Sequence, residues 1–235
     1  MNKGQLLYEG KAKRLYATEN PEILYVEYKD SATAFNGEKK AEIEGKGTLN
    51  NRITTLIFEK LASAGIASHF VKQLSPSEQL VKKVEIIPIE VVVRNIAAGS
   101  LAKRLGMEEG APLPRPIVEY YYKNDDLGDP HITTEHIDVL GIATEKEVAT
   151  LYAEALRVNE VLQPIFEQVG VTLIDFKLEF GRDLAGNILL ADEISPDTCR
   201  LWDTKTKQKL DKDVFRRDLG NLTDVYEIIL ERLGG

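Results

Sequence analysis

Between Ile174 and Phe180 the chain reads Ile-Asp-Phe-Lys-Leu-Glu-Phe, an unbroken alternation of apolar and charged residues. Side chains project alternately from a strand, so Asp175, Lys177 and Glu179 share one face, and Ile174, Phe176, Leu178 and Phe180 the other. The apolar face must cover a core. Gly181 to Asn187 then reads as a hairpin loop with Gly186-Asn187 as its turn residues, and Ile188 to Ala191 as a returning strand that carries Asp192 back near Glu179. Two carboxylates and a lysine converge. Mg²⁺ with nucleotide phosphates needs such a set, since the carboxylates offer hard oxygen ligands and the lysine a cation for a transferring phosphoryl group. On spacing alone the bland alternative, a solvated face of an antiparallel sheet, stays open.

The rest of the chain narrows the classes of protein that could carry this strand. Its 235 residues suffice for one large domain or two small lobes. A formal charge of −8 argues against a general nucleic-acid binder, so any anionic ligand needs a local basic pocket. No apolar run reaches the length of a membrane span, and Met1 to Gln5 leads into a strand pattern rather than a signal peptide, which points to a cytoplasmic protein. Cys199 is the single cysteine, which excludes an internal disulfide framework. His69, His131 and His136 do not fall at metal-ligand spacings, so no zinc site is expected and no role is assigned to them.

Leu6 to Tyr16 and Ile23 to Tyr28 read as three short strands broken at Gly10 and at Glu19-Asn20-Pro21. Asp30 to Gly47 is polar and reads as a long, mobile connection. Asn50 to Ala64 has helical apolar spacing and ends at Gly65, a helix crossing this first lobe. Strands follow at Gln79–Val84 and Ile87–Val93, with Ser100 as the N-cap of a short helix ending at Gly106. Gly110 to Pro116 reads as extended and Tyr120 to Pro130 as loop. Thr144 with Glu147 forms a capping box for a long helix to Val169, and a final helical region runs from about Asp213 to Leu233. This order predicts an α+β fold, with a small N-terminal lobe over residues 1–85 and a larger C-terminal lobe over residues 86–235.

Three constellations carry possible chemistry. Gly10-Lys11-Ala12-Lys13 lies at a strand turn where glycine permits close backbone approach and the two lysines would point the same way over a polyphosphate; a plain surface hairpin is the alternative. Glu90, Val92 and Arg94 share a strand face, and Arg94 ends that strand just before the helix of Ser100, a plausible phosphate seat or a simple ion pair with a cap. Ser195 to Asp203 follows Asp192-Glu193 at once and brings Arg200 close to the acidic pair in sequence.

Taken together, Tyr8-Glu9-Gly10-Lys11-Ala12-Lys13, Gly45-Lys46-Gly47 with Asn50-Asn51, Val91 to Asn95 with Ala98-Gly99-Ser100-Leu101, Asp175 to Gly181, and Asp192-Glu193 with Ser195-Pro196-Asp197 resemble the phosphoribosylaminoimidazole-succinocarboxamide synthase (SAICAR synthetase) family from Leu7 to the C-terminal end. The resemblance implies an ATP-dependent ligase of purine biosynthesis that joins L-aspartate to the carboxylate of carboxyaminoimidazole ribonucleotide (CAIR), giving SAICAR, ADP and phosphate with Mg²⁺. It implies a two-lobed fold holding ATP between the lobes, and commonly a homodimer, with neither nucleic-acid nor membrane partners. Gly10, Lys11, Ala12 and Lys13 would cover the phosphates, the backbone from Lys82 to Val84 would meet the adenine, and Glu179 with Asp192 would hold the metal. Arg94, Ser100, Asp175, Lys177 and Arg200 would surround the ribonucleotide, with Arg200 and Arg216 as candidates for the aspartate pocket. Some branches of the family carry Asp where this chain has Asn36. Another ATP-dependent kinase or ligase of the same layout, or a nucleotide-binding regulatory protein without catalysis, are the rival readings.

Overall fold

A computed structural model describes residues 1–34 and 37–235. Strands β1 (Leu6–Glu9), β2 (Lys13–Ala17) and β3 (Ile23–Tyr28) open the chain, followed by a hairpin of β4 (Ser31–Ala34) and β5 (Lys39–Glu42) and by helix α1 (Lys46–Ser63). β6 (Phe70–Ser75) and β7 (Glu78–Lys82) complete a five-stranded antiparallel sheet in the order β1-β2-β3-β7-β6. A two-residue link then leads to a second sheet built from β8 (Glu85–Ile96), β9 (Pro112–Tyr122), β10 (His131–Ile132), β11 (Val171–Arg182), β12 (Ile188–Ala191) and β13 (Cys199–Asp203). Its order is β10-β9-β8-β11-β12, with β13 also on β11. Helices α2 (Gly99–Leu105), α3 (Thr134–Leu140), α4 (Glu145–Gln168), α5 (Asp213–Arg216) and α6 (Leu222–Arg232) fill the intervals. The expected α+β class holds.

β11 is the central strand, and its length decides the layout. Of its twelve residues, Asp175–Arg182 pair with β8 along one edge, while the other edge is shared by β13 over Val171–Phe176 and by β12 over Glu179–Arg182. The alternation read in sequence is realised: Phe176, Leu178 and Phe180 sink into the main core with Ile87, Ile89, Val91 and Val93 of β8. One residue departs from it. A β-bulge between Leu173 and Asp175 turns Ile174 into a satellite cluster with Ala98 and Trp202, and Leu173 takes its place in the main core.

Several local expectations are corrected. The stretch from Asp30 to Gly47, read as a connection, contains the β4–β5 hairpin; its buried residues there are Ala32 and Ala34, too small to register as a hydrophobic pattern. Asn36 lies outside the described residues. β6 escapes the sequence because it is an edge strand of mixed burial with two register shifts. β9 runs through Pro112, Pro114 and Pro116, whose alternate spacing sends the missing N–H groups to one edge of the strand. The last helical region breaks at Gly220, and Asn221 caps α6 by accepting from the Thr223 N–H at 3.2 Å. Helix α1 does more than cross the first lobe, since Ile53, Ile57, Phe58 and Leu61 belong to the same core as α4, α6 and the second sheet. The capping box of α4 forms as expected, with Thr144 N–H donating to Glu147 at 2.8 Å.

Where the two sheets join, a Cβ on Gly181 would lie 2.6 Å from Val84 Cγ2 and 3.0 Å from the Glu85 carbonyl oxygen. G181A is therefore expected to push β11 from the β7–β8 link and cost about 1–3 kcal/mol. Urea unfolding of the variant checks this, and a midpoint equal to that of the wild type counts against so close a junction.

Candidate active site

The ionic face of β11 is buried rather than solvated, and this decides between the two readings of the alternation. Asp175 and Glu179 are 3% and 5% exposed. A charge withdrawn from water needs a partner, and each has more than one. Asp175 stands in register with Arg94 on β8 and Arg200 on β13. Arg94 Nη1 donates to Asp175 Oδ2 at 2.8 Å, and Arg200 Nη1 donates to the same oxygen at 2.9 Å and to Oδ1 at 3.2 Å. Arg94 also donates through Nε to Glu119 at 2.6 Å and through Nη2 to Ser100 Oγ and Tyr121 OH at 3.0 and 3.1 Å. Ser100 is thus not the cap of α2; the helix starts after Ala98, and the hydroxyl serves as an acceptor for Arg94.

The opposite end of the strand is an ammonium–carboxylate cluster. Glu179 pairs across the sheet with Glu90, a like-charge juxtaposition that would be repulsive alone. Lys177 relieves it by donating to Glu90 at 2.7 Å and to Glu179 at 2.9 Å, and Lys123 adds a third bond to Glu179 at 3.0 Å. Burial opposes the Lys177 charge, yet Glu179 and Glu90 outweigh it and hold its pKa well above the usual lysine value. Lys13 reaches Asp192 and lies 3.5 Å from Glu193. For Asp192, burial works against ionisation, but Lys13 and Lys177 keep the carboxyl well below its ordinary range. The β11–β12 register, Glu179 opposite Ala191, carries Asp192 to this place as the hairpin reading expected.

The turn after β1 is closed by the Gly10 N–H donating to the Lys13 carbonyl at 2.8 Å. Only Lys13 lies on a strand, so Lys11 and Lys13 are not two positions of one strand face. Both nonetheless cross to the second sheet's side, Lys11 to Asp125 at 2.7 Å and Lys13 to Asp192. Ala12 accepts from the Lys29 N–H at 2.7 Å. At the link between the sheets, the N–H groups of Lys82 and Lys83 are already given to the carbonyls of His69 and Glu22.

Between these ends lies a cleft of about 330 Å³. It gathers Lys11, Arg94, Asp175, Lys177 and Arg200 from the sequence-derived set, together with Arg216, whose Nη1 donates to Asp213 at 2.7 Å. Six cationic and three acidic side chains line it, a local positive excess in an acidic chain. Glu179 adjoins it through its bond to Lys177, while Lys13 pairs with Asp192, whose carboxyl feels the Lys177 charge. Gly99 supports its floor: with φ +52°, any Cβ there would fall 2.5 Å from Arg200 Nη2.

Sequence reasoning misses Lys123, Glu119 and Lys212, which sit in a loop, beyond a proline run, and before a four-residue helix, where no periodicity marks them. His69 has no role by sequence spacing, yet it is buried here, and its Nε2 lies 3.0 Å from the Asp192 carbonyl, which fixes Nε2–H as the donor. Among the described residues, no group of three or more His, Cys, Asp and Glu side chains could cage a metal unaided.

Comparison with known proteins gives this geometry its context. The family model for SAICAR synthetase matches residues 6–233. A phosphoribosylaminoimidazole-succinocarboxamide synthase of Lysinibacillus sphaericus is 78% identical, with all of both chains covered. The chain belongs to the SAICAR synthetase family. Among solved structures, the phosphoribosylaminoimidazole-succinocarboxamide synthase of Ehrlichia chaffeensis superposes with a TM-score of 0.95 at 47% identity, covering 97% of this chain and 98% of the other. A SAICAR synthetase in complex with ADP superposes with a TM-score of 0.94 at 51% identity, covering 97% of each. As a SAICAR synthetase the chain is an ATP-dependent ligase of purine biosynthesis.

Burial, reinforced by Lys13, pushes the His69 pKa down to about 4. The unfolded chain, with its ordinary value near 6.5, therefore binds a proton that the folded one refuses. Stability contributed by neutral His69 is complete above about pH 6.5 and is lost as pH falls toward 4, by roughly 3 kcal/mol in all. Denaturant titrations of the wild type and H69Q between pH 7 and 4 should show a markedly shallower acid loss in the variant.

Proposed function

We propose that the cleft joins L-aspartate to the carboxylate of CAIR through phosphorylation of that carboxylate by ATP, releasing SAICAR, ADP and phosphate. The observation that carries this is one buried strand face presenting guanidinium groups at Asp175 and an ammonium–carboxylate cluster at Glu179. Phosphate monoester recognition suits the first, and polyphosphate with metal the second. A carboxylate is a poor acyl donor because its leaving group would be oxide, and transfer of a phosphoryl group converts that oxygen into phosphate. The aspartate amine can then attack the activated carbonyl.

In this reading Lys13 and Lys177 neutralise the transferring phosphoryl group, with Gly10, Lys11 and Ala12 forming the turn over the phosphates, and the backbone from Lys82 to Val84 meets the adenine. Arg94, held at Ser100, binds the ribonucleotide with Arg200, and Asp175 fixes both guanidinium groups. Mg²⁺ fits the residues present: Glu179 and Asp192 offer carboxylate oxygens whose side-chain partners among the described residues are lysines, and Mg²⁺ is commonly held by one or two carboxylates plus nucleotide phosphates. Glu179 and Asp192 would hold it, and it would supply charge neutralisation to the phosphates. The two lobes of the reading are residues 1–85 and 86–235, joined at the β7–β8 link. Among the described residues, no helix is long and apolar enough to cross a membrane. A cytoplasmic homodimer without nucleic-acid or membrane partners completes the proposal.

E179Q and D192N are each expected to lose most turnover, on the order of a hundred-fold or more, while circular dichroism shows that the fold survives. Near-normal rates at low Mg²⁺ would sink the metal assignment. The route itself is tested with CAIR labelled with ¹⁸O in its carboxylate, where mass analysis should find one label in the inorganic phosphate. Unlabelled phosphate, or AMP among the products, removes the acyl-phosphate mechanism.

A further inference from the structure

Of the six cationic side chains lining the cleft, five donate a hydrogen bond to a carboxylate: Lys11 to Asp125, Arg94 and Arg200 to Asp175, Lys177 to Glu90 and Arg216 to Asp213. Lys212 alone donates none among the described residues. Its nearest carboxylate, Asp197, is 3.7 Å away and is already engaged at both oxygens. Lys46 Nζ, fully buried, donates to Asp197 Oδ2 at 2.6 Å, and Tyr226 OH donates to Oδ1 at 2.5 Å. Two buried donors from α1 and α6 thus keep Asp197 from claiming Lys212. The ammonium is left in a largely buried position on the cleft wall, facing Asp197 across 3.7 Å but without the hydrogen-bonded counter-charge that its neighbours have.

A buried ammonium with no hydrogen-bonded counter-charge is incompletely compensated and gains when an anion arrives to meet it. Burial, aided by Lys46 and Arg216 and only partly opposed by Asp197, lowers the Lys212 pKa, the direction expected of an ammonium lacking a close partner. The identity of the anion follows by exclusion, and this step rests on the function proposed above. In that reading the ATP phosphates take Lys13 and Lys177, and the ribonucleotide takes Arg94 and Arg200. The remaining anionic reactant is the amino acid, whose carboxylate presents an acceptor matched to a single ammonium.

We propose that Lys212 binds a carboxylate of the amine-bearing dicarboxylic amino-acid substrate, and that Lys46 and Tyr226 keep it available by occupying Asp197. Lys212 is then a substrate-contacting residue of the ligase, while Lys46 and Tyr226 position it through Asp197.

The test uses steady-state kinetics of the full chain with each of the three substrates varied in turn. K212M is expected to raise KM for L-aspartate by roughly ten- to a hundred-fold, the worth of one charge-assisted hydrogen bond, with KM for ATP and for CAIR unmoved. Because Lys212 lies 3.7 Å from Asp197 without hydrogen-bonding it, Tm of K212M should stay close to the wild type, whereas a purely structural ion pair would lower Tm and leave KM for aspartate unmoved. K212R should restore most of the aspartate affinity. An unchanged KM for aspartate, or an equal rise in all three constants, overturns the assignment; if K212M does not fold, K212Q carries the same comparison. Wild-type turnover separates the two levels: no ADP release with CAIR and aspartate together sinks the proposed function, whereas normal wild-type turnover with an unaffected K212M sinks only the role of Lys212.

Discussion

A charged strand face that is buried must be neutralised from within, and in this protein that requirement governs everything around β11. Asp175 is met from both neighbouring strands by Arg94 and Arg200, and Glu179 by Lys177 and Lys123. No single segment supplies these partners. They come from β8, β13, the loop after β9 and the strand itself, so the site can assemble only when the second sheet has closed in its full register. Fold and site are therefore one problem, because the hydrogen-bonded ladder that orders the strands also sets which charges stand opposite each other.

The same strand sorts charge along a single line. At the Asp175 end the cations are planar guanidinium groups in a fixed hydrogen-bonding frame, suited to forked recognition of oxyanions. At the Glu179 end they are ammonium groups on flexible stems, which can exchange one oxygen partner for another. Rigid recognition and adjustable neutralisation are thus separated by about four residues of strand, a distance near 13 Å at the usual rise. Asp197 adds a third device, a carboxylate that takes buried donors from Lys46 and Tyr226 on its two oxygens while Lys212 stands 3.7 Å away.

Much of the fold and of the site is legible in the amino-acid sequence alone. The two-residue period of β11 and the Thr144–Glu147 box are local signals, and each produces the element it implies, while the hairpin read around Gly186-Asn187 forms with its turn centred on Leu184-Ala185 instead. What escapes lacks a local signal. Ala32 and Ala34 are buried but carry too little apolar bulk to reveal a strand, and the bulge at Ile174 arises from pairing with β13, information that no short window contains. Lys123 and Lys212 lie outside any periodic element and gain meaning only from what the fold brings opposite them. Ser100 stands out through its neighbours in sequence, but they suggest the wrong partner, since a serine early in a helix is as able to accept from a nearby guanidinium as to cap.

Gly99 shows how far the demands of such a site reach. The Arg200 guanidinium lies in the volume that a side chain at position 99 would need, so the backbone there acts as a bearing surface for a group recruited from another strand. In a saturation scan this position would tolerate almost nothing, and a reader of that scan alone would take Gly99 for a chemical participant. Its intolerance is borrowed: the residue has no functional group, and what selection would protect there is the room that the Arg200 guanidinium fills.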